Sequence, residues 1–188
     1  WDVRRAVSMD GKGAGHRGGS VGPTVPGRGG SELRRLLGAG PARVPMLDPA
    51  RSREIFARLH GAILAGWIRA CHDVSDGGVA AAAAEMAFAG EVGIALRLGD
   101  VPREGGEDLP DEVLAFGESP SRFLVEVAPS DADAVAAHFR GVPFAWVGET
   151  RRARDFVLVR SDGTRQAIPL EDLRAAWTAP LPRIFGEC

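Results

Sequence analysis

Two aspartates, a serine and two glycines crowd into the stretch Asp73-Val74-Ser75-Asp76-Gly77-Gly78. An apolar run ending Arg69-Ala70-Cys71 precedes them and an alanine-rich run follows, so the stretch lies where a strand hands over to a helix. Backbone amides at a helix start are unpaired and carry partial positive charge, and glycines let a phosphate approach them closely. Carboxylates in the same turn repel that phosphate, by about 4 kcal/mol per charge pair at close range and intermediate dielectric. A divalent cation between them removes the conflict. Magnesium takes a few carboxylate oxygens, keeps several waters and completes its shell with phosphate oxygens. Asp73 and Asp76 are therefore candidate metal ligands. The plainer reading makes Ser75 or Asp76 a helix cap, Asp-Gly-Gly a turn, and His72 the partner of a core hydrogen bond.

Two further groups of residues carry chemistry. In FGESPSRFLVEV, the planar fork of Arg122 suits phosphate or carboxylate, and an Arg122–Glu118 pair is the bland alternative. In Arg28-Gly29-Gly30-Ser31, ahead of ELRRLL, a second helix start has a basic neighbour; it suits an oxyanion and equally a plain cap by Ser31.

The elements that must position these groups follow from the pattern. Asp48 and Pro49 open a helix over 49–65, with Ile55, Leu59, Ala62 and Ile63 on one face. A buried strand is expected over 68–74, a helix over 78–89 stopped by Gly90, and strands over 93–98 and 122–127. VPREGGEDLP reads as an exposed connector. A helix is expected from Ser130, with Asp133 completing a capping box. Strands follow over 144–148, 156–159 and 165–168, the last two joined by a Ser161-Asp162-Gly163-Thr164 hairpin, and LEDLRAAW closes as a helix. Helices alternate with strands first, and antiparallel strands come later. The expected class is α+β, a mixed and largely antiparallel sheet with packed helices.

Eleven of the 25 glycines fall in residues 11–40. That segment has little periodicity, and residues 1–40 read as a glycine-rich linker or the tail of a preceding domain, leaving 41–188 as the folded unit. HRGGSVGPTVPG in particular offers no buried strand.

With 188 residues, 45% hydrophobic and 26% charged, the composition is that of an ordinary globular protein. A formal charge of −2 gives no basic field for nucleic acid or an anionic membrane. No run approaches the roughly 20 apolar residues of a membrane span, and the first residues lack a secretory block, so the expected location is cytoplasmic. Cys71 and Cys188 have no disulfide or metal spacing. The opening WDVRRAVSMD reads as a piece of a longer chain.

Taken in order, GRGGSELRRLLG, HDVSDGGVAAAAAEMAFAG, FGESPSRFLVEV and LRAAWTAPLPRIFG resemble the carboxy-terminal domain of the phosphoribosylformylglycinamidine synthase family, within the aminoimidazole ribonucleotide synthetase-like superfamily. The resemblance implies an ATP-dependent ligase of purine biosynthesis. The amide oxygen of formylglycinamide ribonucleotide is phosphorylated and displaced by ammonia, which a glutaminase subunit supplies. It implies ATP and Mg2+ as cofactors, with Ser75, Gly77, Gly78, Ser119, Ser121 and Arg122 at the nucleotide, Asp73 and Asp76 at the metal, and Gly29, Gly30 and Ser31 at the substrate phosphate. It assigns no catalytic residue here, and it makes the remaining synthetase domains the partners without which this chain does not turn over. The runner-up is a non-catalytic nucleotide-binding or interaction module of the same superfamily.

Overall fold

The computed structural model describes residues 2–27, 29–38, 40–106 and 108–186. Among the described residues seven strands form one sheet: β1 (Arg17–Val21), β2 (Ile68–Asp73), β3 (Gly93–Arg97), β4 (Phe123–Val127), β5 (Phe144–Arg151), β6 (Asp155–Val159) and β7 (Arg165–Pro169), in the order β2-β4-β1-β5-β3-β6-β7. Every neighbouring pair is antiparallel except β3 with β6. The sheet is thus mixed and largely antiparallel. Its parallel pair lies towards the β7 edge, and the antiparallel pairing begins with β1, not late in the chain.

Helices cover both faces. Helix α2 (Pro49–Leu64) starts as its sequence dictates: Asp48 accepts from the amides of Ala50 and Arg51 at 3.0 and 3.1 Å, and Pro49 takes a position that lacks a partner for an N–H. Its buried stripe of Ile55, Leu59 and Ala62 packs with α5 (Ala132–His138) against Val21, Val125 and Val127. On the opposite face α3 (Gly78–Gly90) meets Ala70, Leu124, Leu96 and Val147. Alternation along β4 sends Leu124 to one core and Val125 and Val127 to the other, so this strand is buried on both sides. Helix α3 is buried almost all round, and its alanines let it lie close to the sheet, to α4 (Asp111–Phe116) and to α6 (Leu170–Thr178). Short helices α1 (Glu32–Leu37) and α7 (Pro180–Phe185) complete the chain.

Several expectations need correction. The glycine-rich segment supplies β1, which pairs with β4 and β5 in the interior of the sheet, so a boundary at residue 40 does not divide linker from domain. Glycine is a poor strand former because it leaves a hole, and here the hole is filled. A Cβ on Gly19 would stand 2.7 Å from the Phe144 ring and 3.2 Å from Val125 Cγ2, so neighbouring side chains occupy the space. The connector VPREGGEDLP holds a short 3-10 turn, Glu104–Gly106, and leads directly into α4, a helix not expected from the sequence. Gly90 belongs to α3, and the stop is Glu91 in the left-handed conformation. In place of a capping box at Ser130 the chain makes a 3-10 turn, Pro129–Asp131, before α5, and the Asp131 side chain at the cap position makes no capping hydrogen bond among the described residues.

Close approach of strands makes a sharp prediction. A Cβ on Gly148 would lie 2.2 Å from the carbonyl oxygen of Ala95 in the adjacent strand, which is backbone and cannot turn aside. Gly148→Ala is expected to lose roughly 3 kcal/mol or more in urea unfolding. Gly19→Ala, opposed by a ring that can rotate, is expected to lose clearly less, and equal losses would refute this reading.

Candidate functional site

The pairing of β2 with β4 assembles the site. Asp73, the last residue of β2, lies opposite Phe123, the first of β4, and the amide of Val74 donates to the Arg122 carbonyl at 2.9 Å. Antiparallel strands thereby set the turn after β2 beside the loop before β4. Val21 ends β1 opposite the same Phe123, which brings in the following segment, where the Val25 amide donates to Ser119 Oγ at 3.0 Å. Ser121, at φ +60°, places its hydroxyl 2.7 Å from that of Ser52 on α2.

The acidic turn and the 118–123 loop line an open pocket of about 370 Å³, together with Phe56. Asp73, Ser75, Asp76, Ser119, Ser121 and Arg122 all border it. Gly29, Gly30 and Ser31 border a second pocket, of about 590 Å³, with Arg34 and Arg35. Arg28 lies outside the described residues. A larger groove of about 710 Å³ runs between the first residues and α2, but it holds none of the motif residues.

Both glycines of the turn have a backbone reason. Gly77 caps α3 at φ +77° and Gly78 follows at φ +68°, conformations that suit glycine. A Cβ on Gly78 would lie 2.6 Å from Ala115 O, so the end of α4 fills the space beside it.

Glu118, not Asp76 or Ser75, answers the start of α3. Its Oε1 accepts from the amide of Gly77 at 2.9 Å and from that of Glu32, the first residue of α1, also at 2.9 Å. One carboxylate thus joins two helix starts, and through them the acidic turn and the Gly-Gly-Ser segment. In the sequence Glu118 stood out only as an alternative partner for Arg122, which does not point to this role. Its one signal was an acid directly after the glycine that ends α4.

Arg122 has no such ion pair among the described residues. It is 1% exposed, its Nη1 donates to Gly117 O at 2.8 Å, and its Nε and Nη2 have no hydrogen-bond partner among the described residues. Burial pushes its pKa down to about 10. The guanidinium lies beneath the loop instead of projecting into the pocket.

Asp73 is exposed. Partial burial raises its pKa, but hydrogen bonds from the Ser75 and His72 side chains outweigh that, and the carboxyl is held below its ordinary value. His72 is no core residue. Its Nδ1 is 3.2 Å from Asp73 Oδ1, and its Nε2 is 2.6 Å from Glu85 Oε2. Burial, with the Asp73 charge second, pushes the Cys71 thiol up to about 12, so it is no nucleophile at neutral pH.

Among the described residues no group of three or more His, Cys, Asp or Glu side chains is placed to hold a metal ion. The pair Asp73 and Asp76 is an open, incomplete donor set. Such a set suits Mg2+, which keeps water and takes phosphate oxygens, and does not suit a closed protein cage for Zn2+ or Ca2+.

A family model described as "AIR synthase related protein, C-terminal domain" matches residues 19–160. Among curated relatives, the "Phosphoribosylformylglycinamidine synthase subunit PurL" of Rhodospirillum rubrum is 42% identical over 120 residues, 63% of this chain and 15% of its own length. That of Thermococcus sibiricus is 35% identical over 187 residues, 98% of this chain and 25% of its own. The chain therefore spans a quarter or less of these two relatives. Solved structures of Thermotoga maritima PurL with FGAR and with ATP superpose at TM-scores of 0.77 and 0.74. They share 20% and 18% identity, cover 90% of this chain and are themselves covered over 29% and 27%; at that identity the likeness shows the fold.

If Glu118 holds both helix starts, Glu118→Ala is expected to cost about 2 kcal/mol, the scale of hydrogen bonds to a charged group. Hydrogen exchange should speed up at the Glu32 and Gly77 amides together, and Glu118→Gln should keep much of the protection. Faster exchange at only one of the two amides would disprove the shared acceptor.

Proposed function

Because the chain belongs to the family of AIR synthase related protein C-terminal domains, we propose that it is the carboxy-terminal domain of an ATP-dependent synthetase that converts formylglycinamide ribonucleotide to formylglycinamidine ribonucleotide. The observation that carries this reading is the juxtaposition of the acidic turn 73–78 with the 118–122 loop around one pocket. Polyphosphate approaching two aspartates needs a cation, and the open donor set leaves room for water and phosphate oxygens. In this reading Asp73 and Asp76 hold Mg2+. Ser75, Gly77, Ser119 and Ser121 border the nucleotide, with Gly78 and Arg122 as further contacts; Gly78 fixes the turn from the α4 side and Arg122 supports the loop from below. Gly29, Gly30 and Ser31 receive the substrate phosphate, with Arg34 as an added positive charge.

In the assembled enzyme ATP phosphorylates the amide oxygen of the substrate, and ammonia from a glutaminase subunit displaces that phosphate. The printed names of the relatives, and of PurL structures with ATP and with FGAR, support this assignment. The remaining synthetase domains are partners in the same reading. Around the two pockets Leu36, Leu37, Met46, Leu47 and Phe56 are exposed, an apolar fringe suited to a covering domain. Among the described residues no helix is long and apolar enough to cross a membrane, in keeping with a cytoplasmic enzyme.

One observation favours a second reading, a non-catalytic binding or interaction module: the Gly77 amide already has Glu118 as its acceptor. Calorimetry separates the two. Mg2+-dependent ATP binding is expected for this chain, weakened at least tenfold by Asp76→Asn, with negligible ATP hydrolysis by the chain alone. Equal affinity in parent and variant, or none in either, would favour the module, and brisk hydrolysis by the chain alone would contradict the need for the other domains.

A further inference from the structure

We propose that His72, braced on its far side by Glu85, is a positioning residue that fixes the Asp73 carboxylate in the orientation a cation needs. The inference rests on the reading of Asp73 as a metal ligand and adds two residues which that reading leaves unused.

The geometry is specific. The His72 side chain is 13% exposed and stands between two carboxylates, with Asp73 Oδ1 3.2 Å from Nδ1 and Glu85 Oε2 2.6 Å from Nε2. Glu85 belongs to α3 and its side chain is 29% exposed. Asp73, at the end of β2, is 65% exposed and would turn freely about its side-chain bonds if nothing held it. The Ser75 and His72 side chains hold it. A ring caught by carboxylates at both nitrogens cannot rotate without breaking one contact, so a helix residue sets the direction of a carboxylate at a strand end. Carboxylates that bind metals depend on such outer partners, and removing one typically lowers metal affinity by about 10–100-fold. A purely structural His72 would tie α3 to β2 and nothing more, and its loss would show in stability alone.

Mn2+, followed by electron paramagnetic resonance, is the probe for this chain, and metal-free thermal unfolding is the control. His72→Ala is expected to weaken Mn2+ binding by about 10-fold or more. His72→Asn, whose amide nitrogen can stand near the place of Nδ1, should recover most of the affinity. Glu85→Ala should fall between them, because the ring remains but loses its brace. Should His72→Ala bind Mn2+ like the parent while Asp73→Asn loses it, the positioning role is wrong and the metal reading stands. Lost affinity that His72→Asn fails to recover, together with a matching drop in melting temperature in both variants, makes His72 structural and also overturns the proposal. If parent and Asp73→Asn bind Mn2+ equally, or neither binds, the metal reading itself falls and this inference with it.

Discussion

A single carboxylate oxygen, Glu118 Oε1, receives the amides of Glu32 and Gly77. Two helix starts would otherwise leave these donors without a protein partner at one end of the sheet, and each carries the partial positive charge of its helix. The hydrogen bonds thus fix the relative placement of three segments remote in sequence. They also alter the electrostatics of the turn. The positive end of α3 is partly neutralised from within, so an incoming phosphate meets Glu118 as well as Asp73 and Asp76. Attraction by helix amides is then a weak basis for holding a polyanion here, and a bridging cation becomes the stronger one.

The fold's legibility in the sequence followed how much each element depends on its own residues. Helix α2 carries its cap, its proline and its apolar stripe, and its limits of Pro49 and Leu64 fall within a residue of those expected. The β6–β7 hairpin carries its turn in Asp162 and Gly163, where Asp162 Oδ1 accepts from the Thr164 amide at 2.8 Å. Strand β1 carries almost nothing of its own. Arg17-Gly18-Gly19-Ser20-Val21 becomes a central strand because Phe144 and Val125 fill the space above Gly19, and because Arg17 lies over the Trp146 ring at 5.3 Å. That information resides in β4 and β5. Helix α4 was hidden for a similar reason: six residues are too few to show a period, and Val113, Leu114 and Ala115 are held by α3 and its neighbours.

The candidate site divides along the same line. Clustering of the acidic turn with the Ser-Pro-Ser-Arg loop needed only that the two flanking strands pair, and both strands read plainly. What each side chain does there was not legible. Asp76 and Ser75 are the residue types that cap helices, yet Gly77 takes the cap position of α3 and the acceptor there comes from a loop next to another strand. His72 follows an apolar run and looks like a core residue, but its partners are Asp73 and a glutamate one helix away. Such assignments depend on distances between segments, which spacing along the chain does not encode.

Arg122 shows how the scaffold tolerates a costly group at this end. A buried guanidinium with one carbonyl acceptor and no carboxylate partner among the described residues gains little from its surroundings, and burial pushes its pKa down to about 10. An apolar side chain of similar size would serve a simple core as well or better. Stability therefore does not explain an arginine at this position. Its bond to Gly117 O ties the end of α4 to the start of β4, and so sets the path of the loop that carries Glu118, Ser119 and Ser121. With cores on both faces of β4, the sheet can bear the penalty. The arginine then acts as a strut for the loop, its charge lying under the pocket that the loop lines.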